Sequence, residues 1–444
     1  MQLRNWLLAS VIGILNAPAV FGADAAPTPA LPWSAAAPCV GAAATGPCIA
    51  ATRKTWAEYM QALVPLGDRM SARLSNPADA QLREELYKHL YQLISQGYFA
   101  MQYQDPRYPD FWPMFNQVFP YYFANPDDSY YQAAVEDSGV YRISGYRGTV
   151  RIADFEIGSG LMVPYGKEKL GPTLAHYDLD KDVKLGKDGW FEVVLSAQRP
   201  KNWKGDWWQL GANASFIWVR QISYDWARET DGRFAIERLD VPAAKPRPSA
   251  DRIAAGMEHL PVWTETWANS MFDMLQKLRS EGLVNKVFPK DLSGTGGITT
   301  QRYIQGVYDI KRDEALILET EVPEQCRYWA FQLTDEQTDT IDPLNRHSTL
   351  NGFTARLDKD GKFRAVICAQ DPGVPNWLDT VDYERGMILG RWLSCNRFPE
   401  PTLIKVKFAD VREHLPADTA SVSPEERDAT IRARRQAAQL RRRW

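Results

Sequence analysis

Twice along the chain the hydrophobic period is two. Between residues 138 and 240 the runs GVYRISGY, WFEVVLSA, FIWVRQISY and FAIERL are separated by Gly, Asp and Lys turns. Between 300 and 410 the pattern returns in YIQGVYDI, ALILET, RYWAFQL, FRAVICA, MILGRWLS and LIKVKF, with short turns such as DKDG at 358–361. Successive strand side chains point to opposite faces, so such runs must pair into sheets with one face on a core. Two blocks of this kind predict a mainly β fold with α inserts, built as two antiparallel units of sandwich or jelly-roll type. The blocks have similar lengths, as an ancient duplication would leave them, but no residue-level repeat accompanies them.

Helical periodicity fills the rest. The reading divides the chain into a signal peptide (1–25), an Ala/Pro-rich tether (26–52) and a helical, aromatic-rich region (53–137). A first β unit (138–245), a helical insert (246–298), a second β unit (299–415) and a C-terminal helix (416–444) follow. Asn76, followed by Pro77, is the expected cap of a helix whose Leu82, Leu86, Leu90 and Leu93 share a face. In the insert, Ser249 can cap one helix that Pro261 stops or kinks, and Gly282 can end the next. Ser423 and Glu426 form a capping box for the last helix, which carries seven arginines. A solvated helix is the plainer reading of that segment; contact with an anionic envelope surface is the functional one.

At 444 residues with a formal net charge of −3, the chain has no field to gather nucleic acid. The leader MQLRNWLLASVIGILNAPAVFGADAAP has a positive start, a short apolar run and small residues, the pattern of an export signal. A periplasmic or secreted location is therefore expected, and oxidised cysteines with it. Cys39 and Cys48 flank a small loop and are the favoured local disulfide. Cys326, Cys368 and Cys395 allow one further pair with one thiol left over. The five scattered histidines and the lack of a Cys-x-x-Cys give no metal site, and nothing calls for a cofactor.

Strong catalytic motifs are missing: no nucleophile elbow, Walker loop or zinc-protease helix occurs. Two proline-stiffened loops stand out instead, NPDDSYY at 125–131 and DPGVPNWLDT at 371–380. Proline fixes φ and removes a donor, so side chains beside it are held in place without helical or sheet partners. They can cap neighbouring backbone or point into a cleft. The functional reading brings both loops to one aromatic-walled hollow. Asp371, Asp379 and Glu156 would be its acid/base carboxylates. Asp127, Tyr130, Arg220, Trp329, Asn351, Asn376, Trp377 and Arg391 would bind substrate, the arginines fixing charge.

The segments CRYWAFQL, HSTLNGFTARLDKDGKFRAVICAQDPGVPNWLDT and GRWLSCNRFPEP together resemble the bacterial domain-of-unknown-function 1214 family. NPDDSYYQAAVEDSGVYRISGYRGT and FIWVRQISYDW resemble the upstream part of its longer members, with Asp128 where that family leads one to expect Asn. The resemblance implies paired sandwich or jelly-roll units with helical inserts, similar to sheets of a glycan-amide hydrolase, and no established activity. The expectation is thus an exported soluble protein, a hydrolase or lyase acting on a glycan-like or flat apolar small molecule. The alternative is a non-catalytic ligand-binding or envelope-associated protein; the sequence does not decide whether it is an enzyme.

Overall fold

The computed structural model describes residues 54–160, 170–295 and 297–441. The expected signal peptide, the tether and the Cys39–Cys48 disulfide lie outside the described residues.

Three helices open the described chain: α1 (Trp56–Gln61), α2 (Val64–Ser71) and α3 (Ala80–Tyr98). The cap of α3 is Asp79, whose Oδ1 accepts from the Gln81 and Leu82 N–H groups at 2.8 and 3.2 Å. Asn76 and Pro77 fall one turn too early for the role the sequence suggested. Gly97 lets this helix approach its neighbour: a Cβ there would stand 2.1 Å from Leu260 Cδ1.

Nine strands follow: β1 (Trp112–Pro113), β2 (Asp128–Ala134), β3 (Tyr141–Tyr146), β4 (Ile152–Gly160), β5 (Leu170–Asp178), β6 (Trp190–Ser196), β7 (Asp206–Gln209), β8 (Phe216–Ile222) and β9 (Arg233–Arg238). They form a five-stranded sheet of order β1-β2-β8-β4-β5 and a four-stranded sheet of order β7-β6-β3-β9. Phe155, Ile157, Ile217 and Val219 of the first sheet pack on Ile143, Phe191, Val193 and Leu195 of the second, as alternation requires. A sandwich results.

The long helix α4 (Ala250–Ser280) comes next. Pro261 does not stop it, the first of the two outcomes expected there; the helix continues through it, and the Thr264 hydroxyl bonds the Leu260 carbonyl at 2.8 Å. Burying Trp263, Trp267 and Met271 against α3 and the first sandwich outweighs the lost N–H. Gly282, at φ 77°, closes the helix as predicted.

A second set of nine strands follows: β10 (Phe288–Lys290), β11 (Gln301–Asp309), β12 (Glu314–Thr320), β13 (Cys326–Leu333), β14 (Thr349–Asn351), β15 (Phe363–Cys368), β16 (Trp377–Asp379), β17 (Arg385–Cys395) and β18 (Thr402–Lys407). Their sheets have orders β10-β11-β17-β13-β14 and β16-β15-β12-β18. Adding nine to each label of the first sandwich reproduces the second, strand for strand. The parallel pair β6–β7 is matched by the parallel pair β15–β16. The duplication invisible in the residues is thus present in the topology. The four sheets are antiparallel or mixed, and none closes into a barrel.

Helix α4 crosses both halves. Trp263 and Trp267 pack near Phe216 and Trp218 of the first five-stranded sheet, and Leu275 and Leu278 against Tyr303, Val307, Met387 and Leu389 of the second. The sheets also touch directly, Ile152 and Ile222 meeting Tyr328, Ala330 and Leu393. Cys326 and Cys395, opposite each other on β13 and β17, form a disulfide, and Cys368 is a buried free thiol. No helix among the described residues is long and apolar enough to cross a membrane.

The last helix, α5 (Pro424–Leu440), has the predicted capping box. Three of its arginines, spaced by seven, turn inward. Arg427 binds Asp371 at 2.9 Å, Arg434 lies over the Trp226 ring at 4.5 Å, and Arg441, just past the helix end, binds Asp231 at 2.8 Å. The segment is a strap across both sandwiches rather than a wholly solvated helix.

Candidate functional site

Alternation puts Phe216, Trp218, Arg220 and Ile222 of β8 on the outer face of the first five-stranded sheet. Asp128 and Tyr130 of β2 and Glu156 of β4 share that face, since Asp128 is opposite Ile222, Tyr130 opposite Arg220, and Glu156 opposite Trp218. The second sheet repeats the arrangement: Gln301 is opposite Leu393, Tyr303 opposite Arg391, and Leu389 opposite Gln332. By register, Tyr130, Arg220 and Glu156 correspond to Tyr303, Arg391 and Gln332. Even the bonds match, for Arg220 Nη1 donates to Glu156 Oε2 as Arg391 Nη1 donates to Gln332 Oε1.

These two faces bound a recess that Phe115, Tyr122, Phe123, Gly297 and Ile298 also line. It offers about 40 Å³ to the centres of water-sized molecules; at ~10–15 Å³ each that is room for a few waters. Its aromatic walls include Tyr130, Trp218 and Tyr303, and Arg220 lies 5.0 Å from the Trp218 ring and 5.9 Å from the Tyr130 ring.

The two arginines differ in one respect. Arg220, 6 % exposed, forms an ion pair with the fully buried Glu156, whose other oxygen accepts from the Thr173 hydroxyl at 2.7 Å. Arg391, 3 % exposed, donates only to neutral acceptors, Gln332 and, at 3.0 Å, the Phe123 carbonyl. Replacing the carboxylate by an amide leaves one buried positive charge without an ion-pair partner among the described residues. Asp128 also lines the recess. Burial pushes its carboxyl up to about 7, even though Arg220, the Gln221 N–H, Arg441 and Arg391 all favour the charged form.

The loop at 125–131 reaches this recess in part. Asn125 lines it and exchanges bonds with the Tyr328 hydroxyl at 2.9 and 3.1 Å. Asp127 turns away and ties the sandwiches together, accepting from Trp226 Nε1 at 2.8 Å, Tyr328 at 2.8 Å and Asn351 at 3.0 Å. Asn351 is likewise a fastening.

The loop at 371–380 does not reach it, and the expectation of one shared hollow is corrected here. Asp371 accepts from the Gly373 N–H at 2.9 Å and from Arg427. Asn376 bonds the Arg356 N–H and carbonyl and the Arg364 carbonyl at 2.9, 2.6 and 2.8 Å. Trp377 is buried with its Nε1 on the Cys368 carbonyl, and Asp379 accepts from Arg346 and the Val381 N–H at 2.7 and 2.8 Å. Trp329 belongs to the inner core of the second sandwich. The fourteen residues of helical strap between Arg427 and Arg441 hold the two loops roughly 20 Å apart at ~1.5 Å per residue. Of the expected carboxylates, Glu156 alone stands beside the recess, while the sequence reading noted Asp128 only as a departure from the family pattern and did not single out Tyr303 or Gln332. For Tyr303 the signal was a tyrosine opposite an arginine on the neighbouring strand, as Tyr130 is opposite Arg220, readable only once register is known.

Residues 308–394, spanning most of the second sandwich, match the model of a family described as protein of unknown function, DUF1214. The chain is similar to an uncharacterised protein of Burkholderia cenocepacia of known structure, with 26 % identity and a TM-score of 0.72 over 80 % of this chain and 97 % of that one. A protein of Vibrio parahaemolyticus is a more distant structural neighbour, with 12 % identity and a TM-score of 0.39 over 72 % of this chain and 98 % of that one. No curated protein matches the sequence significantly.

Proposed function

We propose, for this chain with a DUF1214 region in its second sandwich, that it is an exported protein of the periplasm or the secreted fraction that binds a small organic carboxylate in the recess between its sandwiches. One observation carries the reading: Arg391 is a buried guanidinium whose counterpart across the internal repeat has a carboxylate and which itself has none. A buried guanidinium bonded only to neutral acceptors is costly, Asp128 in the same recess offsets its charge only in part, and an anion of the right size relieves the rest. Aromatic walls suit a flat apolar body attached to the carboxylate, and the limited room suits a small one. The Cys326–Cys395 disulfide and the signal-like leader support the compartment.

The test is a thermal-shift and calorimetric screen of short aliphatic and aromatic carboxylates. A binding carboxylate should raise Tm in wild type, lose at least ~10-fold in affinity in Arg391→Gln and keep part of it in Arg391→Lys. A panel that stabilises nothing at millimolar concentration, or equal binding by Arg391→Gln, would end the proposal.

A catalytic version, in which a hydrolase or lyase works on such a molecule, has Asp128 in its favour. A carboxyl held near neutrality inside a recess is suited to acid–base work. Turnover that disappears in Asp128→Asn, with ligand stabilisation retained, would select this version.

A further inference from the structure

By register, the residue of the second sandwich that matches Asp128 is Gln301. Asp128 is opposite Ile222 and Gln301 opposite Leu393, and both line the central recess. The repeat therefore sets a carboxylate against an amide here too. Asp128 is 5 % exposed, its Oδ1 accepts from the Gln221 N–H at 2.7 Å, and its Oδ2 has no hydrogen bond among the described residues. Glu156 is committed to Arg220 and Thr173, whereas Asp128 makes no ion pair among the described residues. Arg220 and Arg391 bring two positive charges, and Glu156 cancels one. With Asp128 ionised these groups sum to zero; with Asp128 protonated one guanidinium is in excess. A ligand carboxylate held by Arg391 would share with Asp128 a space that admits only a few waters. Two carboxylates confined so closely resist ionising together, and one shared proton relieves the repulsion.

From this juxtaposition we infer that Asp128 takes up a proton when an organic carboxylate binds beside Arg391, and that its O–H then donates to the bound anion. The inference rests on the carboxylate reading above and adds the regulation of that site: capture at mildly acidic pH and release as pH rises. The proton comes from solvent, and no bond of the ligand breaks. Burial already pushes the Asp128 carboxyl up to about 7, and a second negative charge beside it acts in the same direction. The other groups around Asp128 are Tyr130 on its own strand, Arg220 on β8, Tyr303 on β11, Arg391 on β17, Tyr122 ahead of β2 and Arg441 beyond α5. Burial raises all three phenols, which stay neutral near pH 7, and the arginines stay charged.

The experiment is calorimetric titration of the full chain with benzoate, and separately with acetate, between pH 6 and pH 8. Paired buffers of different ionisation enthalpy read the protons taken up per ligand bound. Wild type should take up about one proton at pH 8 and nearly none at pH 6, and its affinity should fall by up to ~10-fold per pH unit above about 7. Asp128→Asn, whose amide donates without a proton, should take up none, bind with an affinity that does not vary with pH, and exceed wild type at pH 8. Arg391→Gln should lose at least ten-fold at every pH. Binding of neither acid to wild type at millimolar concentration would sink the carboxylate reading and this inference together. Binding to wild type at pH 8 without proton uptake, or uptake that persists in Asp128→Asn, would overturn the inference alone. The first of these needs no variant and decides the matter if Asp128→Asn folds poorly.

Discussion

A single substitution across the internal repeat, carboxylate in one half and amide in the other, decides the chemistry of the central recess. Glu156 neutralises Arg220; Gln332 cannot neutralise Arg391. Asp128 is the group that titrates between them. Because burial raises its pKa from the ordinary 3.8 to about 7, the folded state holds the proton more tightly than the unfolded chain does. Its contribution to stability is therefore complete below about pH 4 and is lost as pH rises through about 7. In Asp128→Asn the fall in Tm between pH 5 and pH 8 should be shallower than in wild type, read by calorimetry in matched buffers. An unchanged slope would mean that Asp128 is not the group responsible.

Among the elements, β13 and β17 carry the covalent tie and α5 the polar one. The Cys326–Cys395 bond spans 69 residues of sequence, for which the chain-entropy model gives a stabilisation of up to about 4 kcal/mol. Reduction, or Cys326→Ala with Cys395→Ala, should lower the urea midpoint and steepen the slope somewhat, since the unfolded chain freed of a 69-residue loop exposes more surface. A loss of unfolding free energy below about 1 kcal/mol would show that the strand pairing already fixes this part of the chain. Element boundaries were legible where a side chain acts locally: Ser423 with Glu426, and Gly282 at its positive φ. They were misread at Pro261, where burial of Trp263 and Trp267 against distant neighbours outweighs a local breaker.

Across the whole molecule, α4, the strap and the facing sheets each bury residues of both sandwiches, so neither half keeps its outer face covered when the other unfolds. Calorimetry should accordingly record one cooperative transition for the full chain, with van't Hoff and calorimetric enthalpies in agreement. Two resolved transitions would show that the sandwiches are energetically separate and that the recess between them opens independently.

Alternation alone determined the fold class: period-two runs can bury one face only by pairing into layered sheets, wherever their partners lie. Local chemistry likewise made the turns and most caps legible in advance, including the rigidity of DPGVPNWLDT. Tertiary structure alone decided which rigid loop meets a recess. The polar side chains of that stretch are taken up by Arg346, Arg356, Arg364 and Arg427, distant in sequence, whereas Tyr130 with Arg220 and Tyr303 with Arg391 are brought together by strand register. The physical reason is that burial and pairing depend on residues brought close by folding, and no spacing along the chain encodes that proximity.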